Sequence, residues 1–463
     1  MRQQGGIPRS RTVSRRRSAV FIPVAVVALL SGFGAIGASA APPATDGTGV
    51  AHWNQVAVTT LMAFPPPNGG AAPAMQINLG IVQGAVYDAV NAIGPKQHQP
   101  YVLNRRAGAT ASVDAAAATA AYDVLSALVT SAPARAPFPG RAGLQATLDN
   151  ELAASLGAIA DDAFKSQGIA IGHAAAKAML DARANDGRFG PSQWVPNSGV
   201  GHWSPLTNPA TGLPILDPTP WVGGVTPFFL TSSSQFRSPP PPALDSADWA
   251  AQFNEVKSLG RFDSVTRTAQ QTFIARWWQS APGISWSEVA RELIARNHLN
   301  AADSARLLAL LNMAGADAAI NVWNDKYHFD FWRPWNAIPR ASEDGNPDTI
   351  ADPTWAPLFS APYPEYVSGH MGLDGAEVTI LRAFFGDTPG RFSIKSFSTV
   401  FPTPPAPADM VRTFDTFSQP LAEIVEARIW AGLHFRGSDV GGQSLGEDVA
   451  DYAMANYFQP VGH

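Results

Sequence analysis

The sequence predicts an all-α protein, built of helical bundles joined by long Pro/Gly-rich loops. Three observations carry that prediction. Apolar residues recur at helical spacing through most of the chain beyond residue 50. No internal repeat and no regular strand–helix alternation is present to build a parallel sheet. The 40 prolines and 40 glycines among 463 residues suit a folded chain with extended connections.

Taken in order, segments 53–62 and 77–93 show helical spacing. Segment 107–130 is alanine-rich, opens on polar caps and carries almost no β-branched run, which predicts one long helix or a broken pair. Segments 144–156 and 162–184 also read as helices. Segment 187–242 breaks the pattern, being rich in Pro, Gly, Ser and Trp. It predicts a structured excursion, because Trp194, Trp203, Trp221, Phe228 and Phe229 need burial, and it either covers the core or shapes an entrance. Helical spacing returns at 246–259, 267–279 and 287–297. The strongest helix is 301–331, with Leu307, Leu308, Leu310, Leu311, Met313, Ile320 and Trp323 on a buried pattern. Pro334 ends or kinks whatever precedes it. A Pro-rich loop leads to Ser368, and a helix follows over 369–385. Residues 387–415 read as loop with at most a short strand at 392–400, before helices at 417–433 and 445–458.

The chain has no cysteine, which excludes disulfides, Cys-based metal sites and cysteine nucleophiles. Residues 1–40 stand apart: a head with six arginines, an apolar run from Val20 to Leu30, then small residues ending in Ala38-Ser39-Ala40. That is the layout of a cleaved secretory signal peptide, and Arg15-Arg16-Arg17 resembles a twin-arginine-type signal. The expected product is a secreted protein with one mainly helical catalytic domain over 41–463 and its motifs within 323–439. Losing the six arginines takes the formal net charge from −5 to −11. No basic stretch remains for nucleic acid and no stable membrane span is expected. Nothing in the sequence sets an oligomeric state.

Three C-terminal segments bring cations and imidazoles instead of acids. Lys326 and Arg333 are seven positions apart, which returns within about 20° of one face if helix persists that far. Phe329, Phe331 and Trp332 surround them. Taken alone, the pair is either an anion site or a salt-bridged or cation–π pair using Asp325 and Asp330. Ser368-Gly369-His370 opens an apolar helix with Ser368 as N-cap, so the Gly369 N–H and the Ser368 hydroxyl could hold an oxyanion beside His370. Taken alone, it is equally a capped helix with an incidental histidine. Arg428 precedes His434 by six positions, about 240° round an ideal helix. The helix is therefore expected to loosen near Gly432, with His434 just past its end. A buried Arg428 calls for an acid such as Glu426 or Asp439. Together these groups suit a tetrahedral or trigonal oxyanion. A divalent cation would want carboxylates.

These motifs, Lys326 to Arg333-Pro334, Val367-Ser368-Gly369-His370 and Ala427-Arg428 to His434, resemble the three-part pattern of the vanadium-dependent haloperoxidases and type 2 phosphatidic-acid phosphatases. Val367, Ala427 and the late Asp439 depart from it. WNDKYHFDFWRP from Trp323 to Pro334, and the run Pro362 to Tyr366, are similar to the chloroperoxidase-like branch. The resemblance covers about residues 301–450. It implies vanadate, or phosphate in the same place, held by Lys326, Arg333, Ser368, Gly369, Arg428 and His434. His434 would be the metal ligand, and His370, Lys326 and His434 would be catalytic. Trp323 and Tyr363 would line the substrate pocket. Tyr363 stands where family members carry Phe or His, so no halide preference is implied. The activity implied is oxidation of bromide, iodide or chloride by hydrogen peroxide to a hypohalous acid equivalent, with an organic acceptor as further partner. The phosphatase side implies an alternative: a secreted acid phosphatase with His434 as nucleophile and His370 as general acid/base.

Overall fold

The computed structural model describes residues 47–461 apart from 95–97, 109, 192–193, 196 and 198. Segment 1–40, expected from the sequence to be a signal peptide, lies outside the described residues. The fold is predominantly helical and built of packed bundles. An N-terminal set comprises α1 (Thr48–Met62), α2 (Ala72–Asn91), α3 (Val113–Ser131), α4 (Arg141–Gly157) and α5 (Ala163–Ala182). After the excursion come α6 (Ala247–Leu259), α7 (Ala269–Trp277), α8 (Pro282–Arg296), α9 (Ala301–Phe329) and the short α10 (Pro334–Ala337). The chain ends with α11 (Gly369–Phe385), α12 (Ser418–Trp430) and α13 (Arg436–Asn456). Side-chain caps start many of these helices where the sequence offers them: Ser112, Asp162, Ser246, Thr268, Asn300 and Ser368 each accept from a first-turn amide.

Helix α9 is the axis of the fold. Leu307, Leu308, Leu310, Leu311, Met313 and Ile320 are wholly buried, and α2, α11 and α13 pack around it. Helix α3 is long and apolar enough to cross a bilayer, yet Ala115, Ala116, Ala120, Val124 and Leu125 are buried in the bundle with α2 and α5. It is a core helix.

Four differences from the sequence reading have physical causes. Helix α3 starts at Val113, because Ser112 caps it; the residues before it form a turn instead of more helix. Helix α9 stops at Phe329, where Asp330 adopts a left-handed conformation (φ 48°). Arg333 therefore does not share a helix with Lys326; it stands just ahead of α10. Residues 411–414, read as loop, form a strand: β1 (Phe392–Lys395) pairs antiparallel with β2 (Val411–Phe414), Phe392 opposite Phe414. Helix α13 begins at Arg436, nine residues before the expected 445. Its glycines look like helix breakers but serve packing. A Cβ on Gly446 would lie 2.1 Å from the Gly372 carbonyl oxygen, and one on Gly442 2.6 Å from that of Ser368. Only bare backbone lets α13 approach α11 so closely.

The 187–242 excursion is ordered by α9. Asp317 accepts from the amides of Phe228, Phe229 and Leu230 at 2.6, 2.7 and 3.0 Å. Asn321 accepts from the Phe236 amide at 3.1 Å, and Asp325 from the Ser238 amide at 3.0 Å. Residues 317, 321 and 325 are spaced by four and form one stripe. Those bonds satisfy loop amides that burial would otherwise orphan.

Candidate active site

Every site residue expected from the sequence lies at one end of the α9–α11–α13 packing. Lys326 is wholly buried near the C-terminus of α9. Its Nζ donates to the carbonyls of Pro364, Glu365 and Val367 at 3.3, 2.9 and 2.5 Å. An ammonium has three donors, so this geometry uses all of them. Lys326 thus ties down the loop before Ser368 and acts on the site through its charge. Burial, then the neighbouring Arg333, pulls its pKa well below the usual lysine range; the three carbonyls oppose that by favouring the ammonium.

Arg333, also wholly buried, donates from Nε to Tyr363 O (3.0 Å), from Nη2 to Pro364 O (3.2 Å), and from Nη1 to Leu433 O (2.8 Å) and His434 Nε2 (3.2 Å). The acids next to these cations in sequence face elsewhere. Asp325 pairs with Arg237 at 2.7 Å and Asp330 with His202 at 3.0 Å, both on the excursion. The salt-bridged reading of Lys326 and Arg333 therefore does not describe this structure.

Arg428, on α12, is 6% exposed. Its Nη1 reaches Gln279 Oε1 only at 3.4 Å, and its buried Nε has no partner. Neither acid suggested by the sequence forms an ion pair with it: Glu426 binds Arg436 at 2.7 Å, and Asp439 acts on it only through its charge. Arg428 is the cation here with open donors.

His434 sits between α12 and α13, just past Gly432, whose positive φ of 71° turns the chain. The Arg333 guanidinium can only donate, so His434 Nε2 must be unprotonated. Nδ1 then carries the hydrogen and donates to Glu365 Oε1 at 2.8 Å. Burial, then Arg333, Lys326, Arg428 and His370, holds the imidazole pKa well below its usual value. The ring is neutral and its Nε2 lone pair is on the side of the cations. Burial pushes Glu365 up to about 7 against the pull of Arg333 and Lys326.

Ser368 caps α11, accepting from Met371 N at 3.5 Å. A Cβ on Gly369 would touch the Trp323 ring at 3.0 Å and Lys326 Cε at 3.7 Å. Glycine therefore keeps this helix start open between them. His370 follows, its pKa held well below the ordinary range by burial and then by Arg428. Trp323 and Tyr363 pack with ring centroids 5.0 Å apart. The Lys326 ammonium lies 5.4 Å and the Arg333 guanidinium carbon 5.1 Å from the Tyr363 ring centre. His328 is exposed and takes no part.

Two residues of this arrangement escaped the sequence reading. One is Glu365; its signal was a lone carboxylate in an otherwise apolar loop three residues before Ser368. The other is Asp217 on the excursion, which accepts from Trp323 Nε1 at 2.9 Å and Tyr327 Oη at 2.7 Å. It had no local signal, since its partners lie over 100 residues away.

The donor set fits a tetrahedral oxyanion. It offers the orphaned Arg428 Nε, a helix N-terminus without a Cβ, a hydroxyl and a lone-pair imidazole nitrogen, all in the field of three cations. No cluster of three or more His, Asp or Glu side chains suited to a bare metal ion occurs among the described residues.

Comparison with known proteins finds relatives by sequence and by fold. Residues 306–462 match the family described as the VCPO second helical-bundle domain. The vanadium chloroperoxidase of Curvularia inaequalis is 26% identical over 284 residues, which are 47% of this chain and 45% of that protein. The chain thus matches less than half the length of that relative. Among solved structures, a bacterial vanadium-dependent iodoperoxidase superposes with a TM-score of 0.70 at 22% identity, over 91% of this chain and 99% of that one. The holo form of a bacterial vanadium-dependent chloroperoxidase gives 0.62 at 18% identity, over 85% and 93%. By sequence over residues 306–462, and by fold over most of its length, the chain is similar to the vanadium-dependent haloperoxidases and chloroperoxidases.

Proposed function

We propose that the protein is a vanadate-dependent haloperoxidase that oxidises a halide with hydrogen peroxide to a hypohalous acid equivalent. One observation carries the reading: the unprotonated Nε2 of His434 faces a cage of three cations walled by Trp323 and Tyr363. Vanadate would be held by Arg333, Arg428, the Ser368 hydroxyl and the Gly369 amide, in the field of Lys326, with His434 Nε2 as its ligand. When bound, it supplies a Lewis-acidic centre that activates peroxide without changing oxidation state.

The chain's own residues do the rest. Arg333, Arg428 and Lys326 neutralise the anion's charge with donors and fields fixed before it arrives. Glu365 keeps the Nδ1 hydrogen of His434 in place, so Nε2 keeps the lone pair that now accepts from Arg333 and that a bound oxyanion's central atom would take over. Halide oxidation by peroxide consumes one proton per hypohalous acid formed. His370 would hold that proton on its ring and deliver it to the departing oxygen. An anion bound beside Arg428 offsets the charge that lowers the His370 pKa, so the ring becomes a better proton carrier when the site is filled. Trp323 and Tyr363 exclude water from the halide side, which strengthens every charge interaction within.

The same cage favours a second reading. A neutral His434 with its Nδ1–H held by a carboxylate is also arranged as a nucleophile toward a phosphoryl group, with His370 protonating the leaving oxygen. A peroxide assay with bromide, iodide and chloride, before and after vanadate loading, separates the two when run beside a phosphate-ester assay. Halogenation that appears only with vanadate supports the haloperoxidase. Phosphate release inhibited by vanadate, with no halogenation, replaces it with the acid phosphatase. The layout of residues 1–40 supports export; a secreted product whose N-terminus lies near residue 41 is the expected finding.

A further inference from the structure

Helix α11 carries two further polar residues beyond His370, which the mechanism above does not use. His370, Asp374 and Glu377 are four and seven positions apart and so lie along one stripe of the helix. Asp374 is 1% and Glu377 0% exposed. Each carboxyl has a single donor. Asp374 Oδ1 accepts from Trp286 Nε1 at 2.6 Å, and Glu377 Oε1 from Gln76 Nε2 at 2.9 Å. The other oxygens, Asp374 Oδ2 and Glu377 Oε2, have no partner.

The pocket round the inner acid is built, not incidental. A Cβ on Gly283 would lie 1.8 Å from Gln76 Oε1, and one on Gly315 2.9 Å from Glu377 Oε1. Two helices are therefore kept bare of side chain at the points where this amide–carboxyl pair sits. One donor and one open oxygen per group leave each carboxyl a place for a proton. Two adjacent ionised carboxylates in this core would be prohibitive.

Asp374 is also coupled to the cage. The charged or titratable groups acting on it are Arg428 from α12 and Glu377 from its own helix, with His370 one turn away. The remaining packed elements present neutral groups: Trp286 from α8, Gln76 from α2, and Gln443 of α13 beside Gly375. Arg428 is thus the one cation that favours the ionised form of Asp374. Its buried Nε has no hydrogen-bond partner. A bound oxyanion and an ionised Asp374 compete for the same guanidinium field.

We propose that Asp374, backed by Glu377, is a proton-binding site linked through Arg428 to the cage, so that an oxyanion binds together with a proton taken up on Asp374 Oδ2. The step is a proton equilibrium: an O–H bond forms on Oδ2 with a proton from solvent, and nothing is oxidised or reduced. Filling the cage cancels the Arg428 field over Asp374, and the carboxylate then takes a proton. Emptying the cage releases it. The proton uptake keeps the buried charge of the region nearly constant whether or not the dianion is present. The proposal rests on reading the cage as an oxyanion site.

The test uses orthophosphate and vanadate as probes on the full chain. Binding heats measured in buffers of different ionisation enthalpy give the number of protons taken up. Burial places the Asp374 carboxyl at about 7, so pH 7 is the place to look. Wild type should take up a larger fraction of a proton than Asp374→Asn. Its log Kd should also be steeper with pH, by up to tenfold in affinity per pH unit. Equal proton counts and equal slopes overturn the proposal. Should Asp374→Asn fail to fold, Trp286→Phe decides. It keeps both acids and removes only the donor that favours the ionised form, so the proton uptake should move to higher pH. An unmoved profile counts against the proposal. Failure of wild type to bind either probe would instead refute the oxyanion cage itself.

Discussion

Glu365 Oε1 lies 2.8 Å from His434 Nδ1, and it reaches the imidazole from the loop before Ser368 instead of from the segment that follows His434. Asp439, the acid nearest in sequence, is buried on the neighbouring helix, and its carboxyl is pushed well up by that burial. Because Glu365 is fixed by the Phe435 amide at 3.1 Å, it sets both the tautomer and the tilt of the ring. Glu365→Gln should weaken vanadate and phosphate binding by about 10- to 100-fold, the usual effect of losing such a support. Titration calorimetry checks it. Unchanged affinity would mean that Ser438, whose hydroxyl lies 3.3 Å from the same nitrogen, suffices.

Lys326 and Arg428 should separate by phenotype. Lys326→Met strands three buried carbonyls and should lower stability by about 3 kcal/mol or more. Arg428→Met removes a buried cation that forms no ion pair, so its stability should change little, while oxyanion affinity falls at least about 100-fold. Urea unfolding and phosphate binding on both variants decide. A larger loss of stability in Arg428→Met would contradict the donor assignment.

Asp217→Ala should loosen the aromatic wall without touching the cage. Trp323 Nε1 and Tyr327 Oη lose their shared acceptor, which costs about 2 kcal/mol. Halide KM is expected to rise severalfold, with oxyanion affinity retained. A parallel loss of both would show that the wall and the cage are one unit.

Stability should carry a titration from Asp374. Burial raises its folded-state pKa to about 7 from the ordinary carboxylate value of 3.8. A raised acid contributes stability that is full below the lower value and is lost as pH climbs through the upper one. From pH 5 to 7, wild type should therefore lose stability relative to Asp374→Asn, with a slope approaching about 1.4 kcal/mol per pH unit. Denaturant titrations across that range provide the check; parallel curves would place the titration elsewhere.

Much of this was legible in the sequence, and the parts that were not share a cause. Helix α11 could be read to the residue, because Ser368 caps it and Gly386 follows it. The cage residues were legible because motif spacing survives in one dimension. The early start of α13 was hidden by Gly437, Gly441, Gly442 and Gly446, of which the last two lie where α11 comes closest. Whether helix persisted from Lys326 to Arg333 could not be read, because the left-handed turn at Asp330 is held by Trp203 and His202, which bond to it from the excursion. Glu365 and Asp217 act on partners 69 and 106 positions away, and no local pattern encodes such a distance.

The stripe Asp317, Asn321 and Asp325 gives α9 a second task beside carrying Trp323 and Lys326. The excursion that supplies Asp217 hangs from the helix that supplies the residues Asp217 steadies. Floor and wall of the cavity are therefore mounted on one rod. When that rod shifts with the thermal motion of the bundle, both should travel together, and the gap offered to a small anion should hold its width while the surrounding helices breathe.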